Sequence, residues 1–403
     1  MKRFARVLSL LIFAATLAAA QPKPRARDLG VPFDGTPGAF NAITDVKGVE
    51  VGHTTLISGE GKLKVGEGPV RTGVTAILPR GKESNDAVFG AWFTLNGNGE
   101  MTGTTWVEDS GFVDGPVMIT NTHSVGVVRD AVIAWKVKRG AADMEGYFWS
   151  LPVVAETWDG FLNDINGFHV KPEHVFHALD SAHGGAVEEG AVGGGTGMIC
   201  NEFKGGIGTA SRVLDAKDGG YTIGVLVQCN YGRRGQLRIA GVPVGKEIPE
   251  HPAYEDSGAL RPGSPELVAE ARPGRDRDTG SIIIVVATDA PLIPTQLKRM
   301  ARRASLGLGR NGSYSGDGSG DIFIAFSTAN GGAASPKGVH DLKMLPNDSL
   351  DPIFLATVQA TEEAVVNAMI AADTMTGIDG HTAIGLPHER LRDVLKKYNR
   401  LAK

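Results

Sequence analysis

The stretch that most restricts the fold is 281–291, SIIIVVATDAP. β-Branched residues at this density, without polar alternation, read as a fully buried strand. Pro291 stops it. Immediately upstream lies a polar and charged run, ARPGRDRDT at 271–279, followed by Gly280. A loop of this composition therefore delivers a small hydroxyl residue, Ser281, to the first position of a core strand.

That placement has a chemical use. Gly280 has no side chain to block attack on its carbonyl, and Ser281 can reach that carbonyl with its own Oγ. The resulting ester is open to water. The freed Ser281 α-amine, with an intrinsic pKa of about 8, can then serve as base for its own hydroxyl, as an N-terminal-nucleophile hydrolase requires. The plainer alternative is an ordinary strand that follows an ordinary loop, since Gly-Ser pairs are common.

Elsewhere the chain alternates between strand-like and helix-like segments. Val46–Leu56, Gly73–Leu78, Ala87–Leu95, Val117–Thr120, Tyr221–Gln228 and Asp321–Ser327 read as strands. Ser124–Val137 carries Val125, Val128, Val132 and Trp135 on one helical stripe, and Gly140 follows as a stop. Pro294–Leu308 and Leu355–Ala372 read as helices, and a short helix is expected at Pro265–Ala271. This mixed order favours layered α and β structure over a regular βαβ series. With 403 residues, 42% of them hydrophobic, the chain can fill a large core in one domain or two. The 55 glycines suit tight turns and close backbone approaches. A net charge of −4 supplies no basic footprint, which argues against nucleic acid as a partner.

The first twenty residues read as a secretory signal: Lys2, Arg3 and Arg6, an apolar core from Val7 to Leu17, and Ala18-Ala19-Ala20 before Gln21. The apolar run is short for a bilayer span, and no later stretch reads as long enough. The expectation is export to a periplasm or beyond, with no membrane partner once the signal is removed. Such a compartment permits a disulfide between Cys200 and Cys229, and two buried thiols fit the sequence equally well. Residues 246–280, with five prolines and many charges, are the best linker candidate.

Several familiar motifs fail on inspection. The Gly-rich 193–197 stretch lacks a Gly-Lys-Ser/Thr ending and reads as a tight loop that presses backbone near a site. DGSGD at 317–321 has Ile322 and Thr328 where a calcium loop needs Gly and Glu. His174, His177 and His183 could ligate a metal only in principle, since no H-E-x-x-H is present. Ser313, Ser315 and Ser319 sit among glycines, but at the wrong spacing for a nucleophile elbow.

Taken together, a set of segments resembles the DmpA-type aminopeptidase family. They are NAITDVKGVEVGHTTL (41–56), VRTGVTAILPRG (70–81), LPVVAETWDGFLNDI (151–165), GAVGGGTGMICNEFKGGIGTASR (190–212) and GVLVQCNYG (224–232). GSIIIVVATDAPLIPTQL (280–297), SGDGSGD (315–321), DIFIAFSTAN (321–330) and AADTMTGIDG (371–380) complete the set. The family comprises L-aminopeptidase/D-amidase-esterases and β-peptidyl aminopeptidases. The resemblance implies an α/β fold, a four-layer αββα sandwich like other N-terminal-nucleophile hydrolases with different connectivity. It implies self-cleavage at Gly280–Ser281, giving an α-chain of residues 21–280 and a β-chain of residues 281–403. It implies a homo-oligomer of such α/β pairs acting on short peptides, amino-acid amides or esters, with no cofactor and no metal.

Residue by residue, the family pattern implies Ser281 as nucleophile, with Ser319 and Asp321 as helper hydroxyl and acid. Asn230 matches the oxyanion donor and Glu156 the acid that receives the substrate amine. Trp158 stands where some relatives carry a Tyr whose hydroxyl aids the oxyanion, and an indole N–H can donate only one hydrogen bond. Spacing agrees with these roles: Ser319 and Asp321 share one face of an extended run, and Asn230 ends an apolar strand. Structural readings of the same residues are a capped strand start, a turn former and a solvated acid. An acyltransferase of the ornithine acetyltransferase type would share the self-cleavage logic, and a non-catalytic periplasmic solute-binding protein would remain one intact chain.

Overall fold

The computed structural model describes residues 23–141, 145–256 and 280–402. Two sheets organise it. The smaller has the order β1-β2-β5-β6, with β1 (Glu50–Ser58), β2 (Val70–Leu78), β5 (Val117–Asn121) and β6 (Val153–Thr157). The larger has six strands in the order β4-β3-β12-β11-β10-β9. These are β3 (Val88–Gly97), β4 (Phe112–Val113), β9 (Gly206–Val213), β10 (Thr222–Asn230), β11 (Ser281–Thr288) and β12 (Gly320–Ser327). A short hairpin of β7 (Ile199–Cys200) and β8 (Phe203–Lys204) stands apart. Neighbours in the two main sheets run antiparallel except the β5–β6 and β11–β12 pairs.

The composition of β11 explains the layering. Ile283, Val285 and Ala287 pack inward against Val51, Ile77, Ile119 and Ala155 of the smaller sheet. Ile282, Ile284 and Val286 face the opposite way, against the helices Pro294–Arg310 and Asp351–Ile370. Each of the Ile and Val side chains contributes roughly 1.5–3 kcal/mol by burial, so the strand has no face it can expose. The outer face of the smaller sheet, with Val74, Ala76 and Met118, is covered by the helices Val125–Lys138 and Pro172–Asp180. The result is the four-layer αββα sandwich expected from the resemblance. Pro172, Pro294 and Pro352 each stand in the first turn of their helices, where a missing N–H costs nothing.

The strand and helix expectations hold with shifts of a few residues at their ends; the first strand begins at Glu50, after a turn at Ile43–Asp45. Two corrections and one resolved alternative follow. The linker candidate is not loose at its start, because Ile248 and Ala253 are buried. Cys200 and Cys229 are joined, with Cα atoms 5.5 Å apart. One helical stretch, Asn347–Ile370, is apolar and long enough to span a bilayer, but 83% of its most apolar window is buried within the sandwich. The signal segment, the expected helix at 265–271 and the rest of the linker lie outside the described residues.

Candidate active site

Strand register builds the first half of the site. Asn230, the last residue of β10, pairs with Ser281, the first of β11, and Ser281 pairs with Gly320, the first of β12. Three neighbouring strands thus present their ends at one place. Ser281 is buried, and a Cβ at Gly320 would stand 2.9 Å from its Oγ. Gly280 is required by the same crowding, since a Cβ there would meet the Asn230 carbonyl oxygen at 2.4 Å and the Tyr231 Cα at 2.5 Å. The Gly280 carbonyl accepts a hydrogen bond from the Gly320 N–H at 3.1 Å.

Ser319 and Asp321 flank Gly320 and are fully buried. As the extended spacing requires, they share a face, and the Ser319 hydroxyl donates to Asp321 Oδ1 at 2.6 Å. A bulge against β3 falls here: Asp321 pairs with Asn96 but Ile322 with Thr94, so Leu95 is skipped. Bulges of this kind re-aim a side chain at the rim of a sheet. The turn before β12 is held by Asn98, whose side chain donates to the Gly318 carbonyl at 2.8 Å and whose N–H donates to the Ser319 carbonyl at 3.2 Å.

The Asn230 carboxamide is locked at both ends. Its Oδ1 accepts the Ile199 N–H at 2.8 Å, and its Nδ2 donates to the Trp158 carbonyl at 2.9 Å. Those contacts fix which end is nitrogen. They also leave the second Nδ2 hydrogen available to a developing oxyanion. Trp158 therefore touches the site through its backbone. Its half-buried ring packs with Tyr254 and Met375 against Phe161, Leu162 and Ile199.

Glu156 comes from the other sheet. It is buried; Oε1 accepts the Glu100 N–H at 2.9 Å and Oε2 accepts the Thr122 hydroxyl at 2.5 Å. Burial raises its pKa, and the two hydrogen bonds oppose that rise. Gly99 separates it from the Ser281 end of the larger sheet: a Cβ at Gly99 would be 3.3 Å from Glu156 Oε1 and equally 3.3 Å from the Gly320 Cα. The two sheets are keyed together beside the site by Gln228 of β10, which donates to the Thr120 carbonyl at 3.0 Å and the Thr157 hydroxyl at 2.8 Å. The Gly193–Gly195 turn also presses between them, since a Cβ at Gly194 would meet Gln228 Oε1 at 2.3 Å and the Ile119 carbonyl oxygen at 2.7 Å.

All seven residues singled out from sequence thus fall in one region: Gly280, Ser281, Ser319, Asp321 and Asn230 on the larger sheet, Glu156 and Trp158 at the end of the smaller. The histidines do not join them. His177 Nδ1 meets the Thr54 hydroxyl at 3.1 Å and His174 Nδ1 accepts the Lys171 N–H at 3.0 Å. Among the described residues no three His, Cys, Asp or Glu side chains converge as a ligand set. Sequence reasoning missed Gly320, Gly99, Thr122 and the Ile199 N–H. Only Gly320 left a signal, lying between two residues already suspected; the others act through backbone or a common hydroxyl.

Comparison with known proteins places this arrangement. Residues 41–383 match the profile of peptidase family S58. A β-peptidyl aminopeptidase, BapA of Sphingosinicella microcystinivorans, is 57% identical over 403 residues, covering 99% of this chain and 98% of that protein. BapA of Sphingosinicella xenopeptidilytica is 49% identical over 396 residues, covering 97% and 95%. The solved L-aminopeptidase D-Ala-esterase/amidase of Ochrobactrum anthropi, described as a new variant of the Ntn hydrolase fold, superposes with a TM-score of 0.82 at 50% identity, covering 94% of this chain and all of that one. On fold, length and sequence, the chain belongs to peptidase family S58.

Proposed function

We propose that the protein is a serine aminopeptidase that cuts itself at Gly280–Ser281 and then removes N-terminal residues from short peptides, amides or esters. Residues of the β-amino-acid class are its preferred substrates. The observation that carries this reading is the meeting of Asn230, Ser281 and Gly320 at three adjacent strand ends, with a buried carboxylate, Glu156, across Gly99. Names of relatives such as BapA supply the β-residue preference.

In processing, Ser281 Oγ attacks the Gly280 carbonyl carbon. The carbonyl oxygen, which already accepts the Gly320 N–H, takes the negative charge. The Gly280–Ser281 C–N bond breaks, its nitrogen gains a proton, and the ester left on Oγ is cleaved by water. In turnover the freed Ser281 amine takes the Oγ proton as Oγ attacks the substrate carbonyl. The free Asn230 Nδ2 hydrogen stabilises the oxyanion, and the leaving amine departs with the proton. Water then clears the acyl-ester. The Ser319–Asp321 pair holds the Ser281 amine and tunes its charge, while Glu156 binds the substrate ammonium. Trp158 contributes its carbonyl, which accepts from Asn230 Nδ2 and orients the carboxamide.

The signal at residues 1–20, export to a periplasm and assembly as a homo-oligomer of α/β pairs belong to the same proposal and rest on the sequence alone. Intact mass and N-terminal sequencing of purified protein test the processing: two chains are expected, the smaller beginning at Ser281. A wild-type chain that stays whole yet hydrolyses amides overturns this mechanism. Matched β-alanine and L-alanine p-nitroanilides test the substrate class. A higher kcat/KM on the L-alanine compound overturns the β-residue preference.

A further inference from the structure

Behind Asn230 lies the β7–β8 hairpin, buried along its whole length from Ile199 to Lys204. It turns through Asn201 and Glu202, both left-handed with φ of 48° and 61°, as a tight two-residue hairpin turn requires. The hairpin is fastened to the segment around Asn230 residue by residue. Ile199 donates its N–H to Asn230 Oδ1, Cys200 is bonded to Cys229, and the Asn201 N–H donates to the Tyr231 carbonyl at 2.6 Å. Paired across the hairpin from Ile199 is Lys204, fully buried, with three carbonyl acceptors: Met198 at 2.7 Å, Gly205 at 2.8 Å and Gly195 at 3.5 Å. Among the described residues no carboxylate pairs with it. A buried ammonium caged by carbonyls is costly to keep without a purpose, and burial pulls its pKa down to about 7. One of these carbonyls, that of Met198, belongs to the peptide that supplies the Ile199 N–H, and it also accepts the Gly205 N–H at 2.9 Å. Stability alone is met at lower cost by an apolar side chain of the same volume.

We propose that the Ile199–Lys204 hairpin is a positioning element for catalysis, in which Lys204 and the Cys200–Cys229 bond hold the Ile199 N–H against Asn230 Oδ1 and so aim the free Nδ2 hydrogen at the reacting carbonyl. This rests on the reading of Asn230 as the oxyanion donor. Lys204 and the disulfide touch neither substrate nor nucleophile; they act through Asn230. The substrate ammonium is bound from the other sheet, at Glu156, so loosening the hairpin should leave ground-state binding intact.

The test is a double-mutant cycle on the processed enzyme with a β-alanine p-nitroanilide. Lys204→Met is expected to lower kcat roughly 10- to 100-fold, with KM within about twofold of wild type. In an Asn230→Ala background the same substitution should change kcat by less than about twofold, because the group being aimed is gone. The paired replacement Cys200→Ser with Cys229→Ser should repeat both results, and carries the test should Lys204→Met fail to fold. Equal losses in both backgrounds, a loss confined to KM, or wild-type kcat in the folded variants would overturn the proposal while leaving Asn230 in place. If Asn230→Ala itself keeps near-wild-type kcat, the oxyanion assignment fails, and the hairpin proposal falls with it.

Discussion

The two sheets contribute to the site in different ways. The larger one places its groups by backbone register: Asn230, Ser281 and Gly320 are fixed once β10, β11 and β12 pair as they do. The smaller one places Glu156 by side-chain hydrogen bonds, from Thr122 and the Glu100 N–H, in a pocket that raises its pKa. Register is rigid and indifferent to pH, which suits bond making. A hydrogen-bonded carboxylate is adjustable and titrates, which suits recognition of a charged amine. The division implies that chemistry and selectivity can be damaged separately.

The largest effects should come from the register side. Ser281→Ala removes the proposed nucleophile of both proposed reactions, so one uncut chain and a loss of at least about 10⁴-fold in kcat are expected on gels and in rate assays. Asn230→Ala should lower kcat by roughly 10²–10³-fold. Processing should nevertheless go on, because the Gly280 carbonyl oxygen is served by the Gly320 N–H rather than by Asn230. An uncut Asn230→Ala protein that is well folded would show that the two reactions share one oxyanion donor, and the division would lose its sharpest edge.

The same division decides what the sequence could disclose. The layers and the buried strand were legible, because SIIIVVAT can sit nowhere but between two covered faces. Ser281 was legible from its place at the start of a buried strand, whereas Ser319 and Asp321 came through the family resemblance, with which their spacing on one extended run agrees. Asn230 and Glu156 came through the family resemblance, since a strand-end amide and an acid near a Trp carry no pattern of their own. The way Asn230 is oriented was not legible at all. It depends on a carbonyl from Trp158 and an N–H from Ile199, and backbone groups look the same at every position. The Cys200–Cys229 pairing was open for the same reason, as sequence separation does not give Cα separation.

On the recognition side, Glu156→Gln should lower kcat/KM for free-amine substrates by roughly 10- to 100-fold, the worth of a charge-assisted hydrogen bond. Processing involves no substrate amine and should be unaffected. N-acetylated substrates should be poor for the wild type and lose little further in Glu156→Gln. On the proposed role of Glu156 the carboxylate is the binding form, and its pKa lies above the ordinary 4.5. Wild-type kcat/KM should therefore fall as pH drops through that raised value, and the Gln variant should lack this limb. Equal wild-type rates on free and acetylated p-nitroanilides would break the comparison, leaving both sheets to serve chemistry alone.

The smallest effect concerns Asp159, which ties the end of the smaller sheet to the loop after it. It is fully buried and accepts hydrogen bonds from Asn121 Nδ2 at 3.0 Å and Asn163 Nδ2 at 3.1 Å. Burial raises its pKa from 3.8 to about 6. Between those values the folded chain binds a proton that the unfolded chain has released, so stability falls as pH rises through the window. The ionised form costs on the order of 3 kcal/mol at neutral pH relative to acid. Asp159→Asn is uncharged throughout. Its lost acceptor imposes a constant penalty, whereas the relief from burying a charge grows from pH 4 to pH 7. The Tm of the Asn variant minus that of wild type should therefore climb by a few degrees across that range. A difference that stays flat with pH would mean that the hydrogen bonds hold Asp159 ionised at no cost, and that the smaller sheet is as indifferent to pH at this point as the larger one.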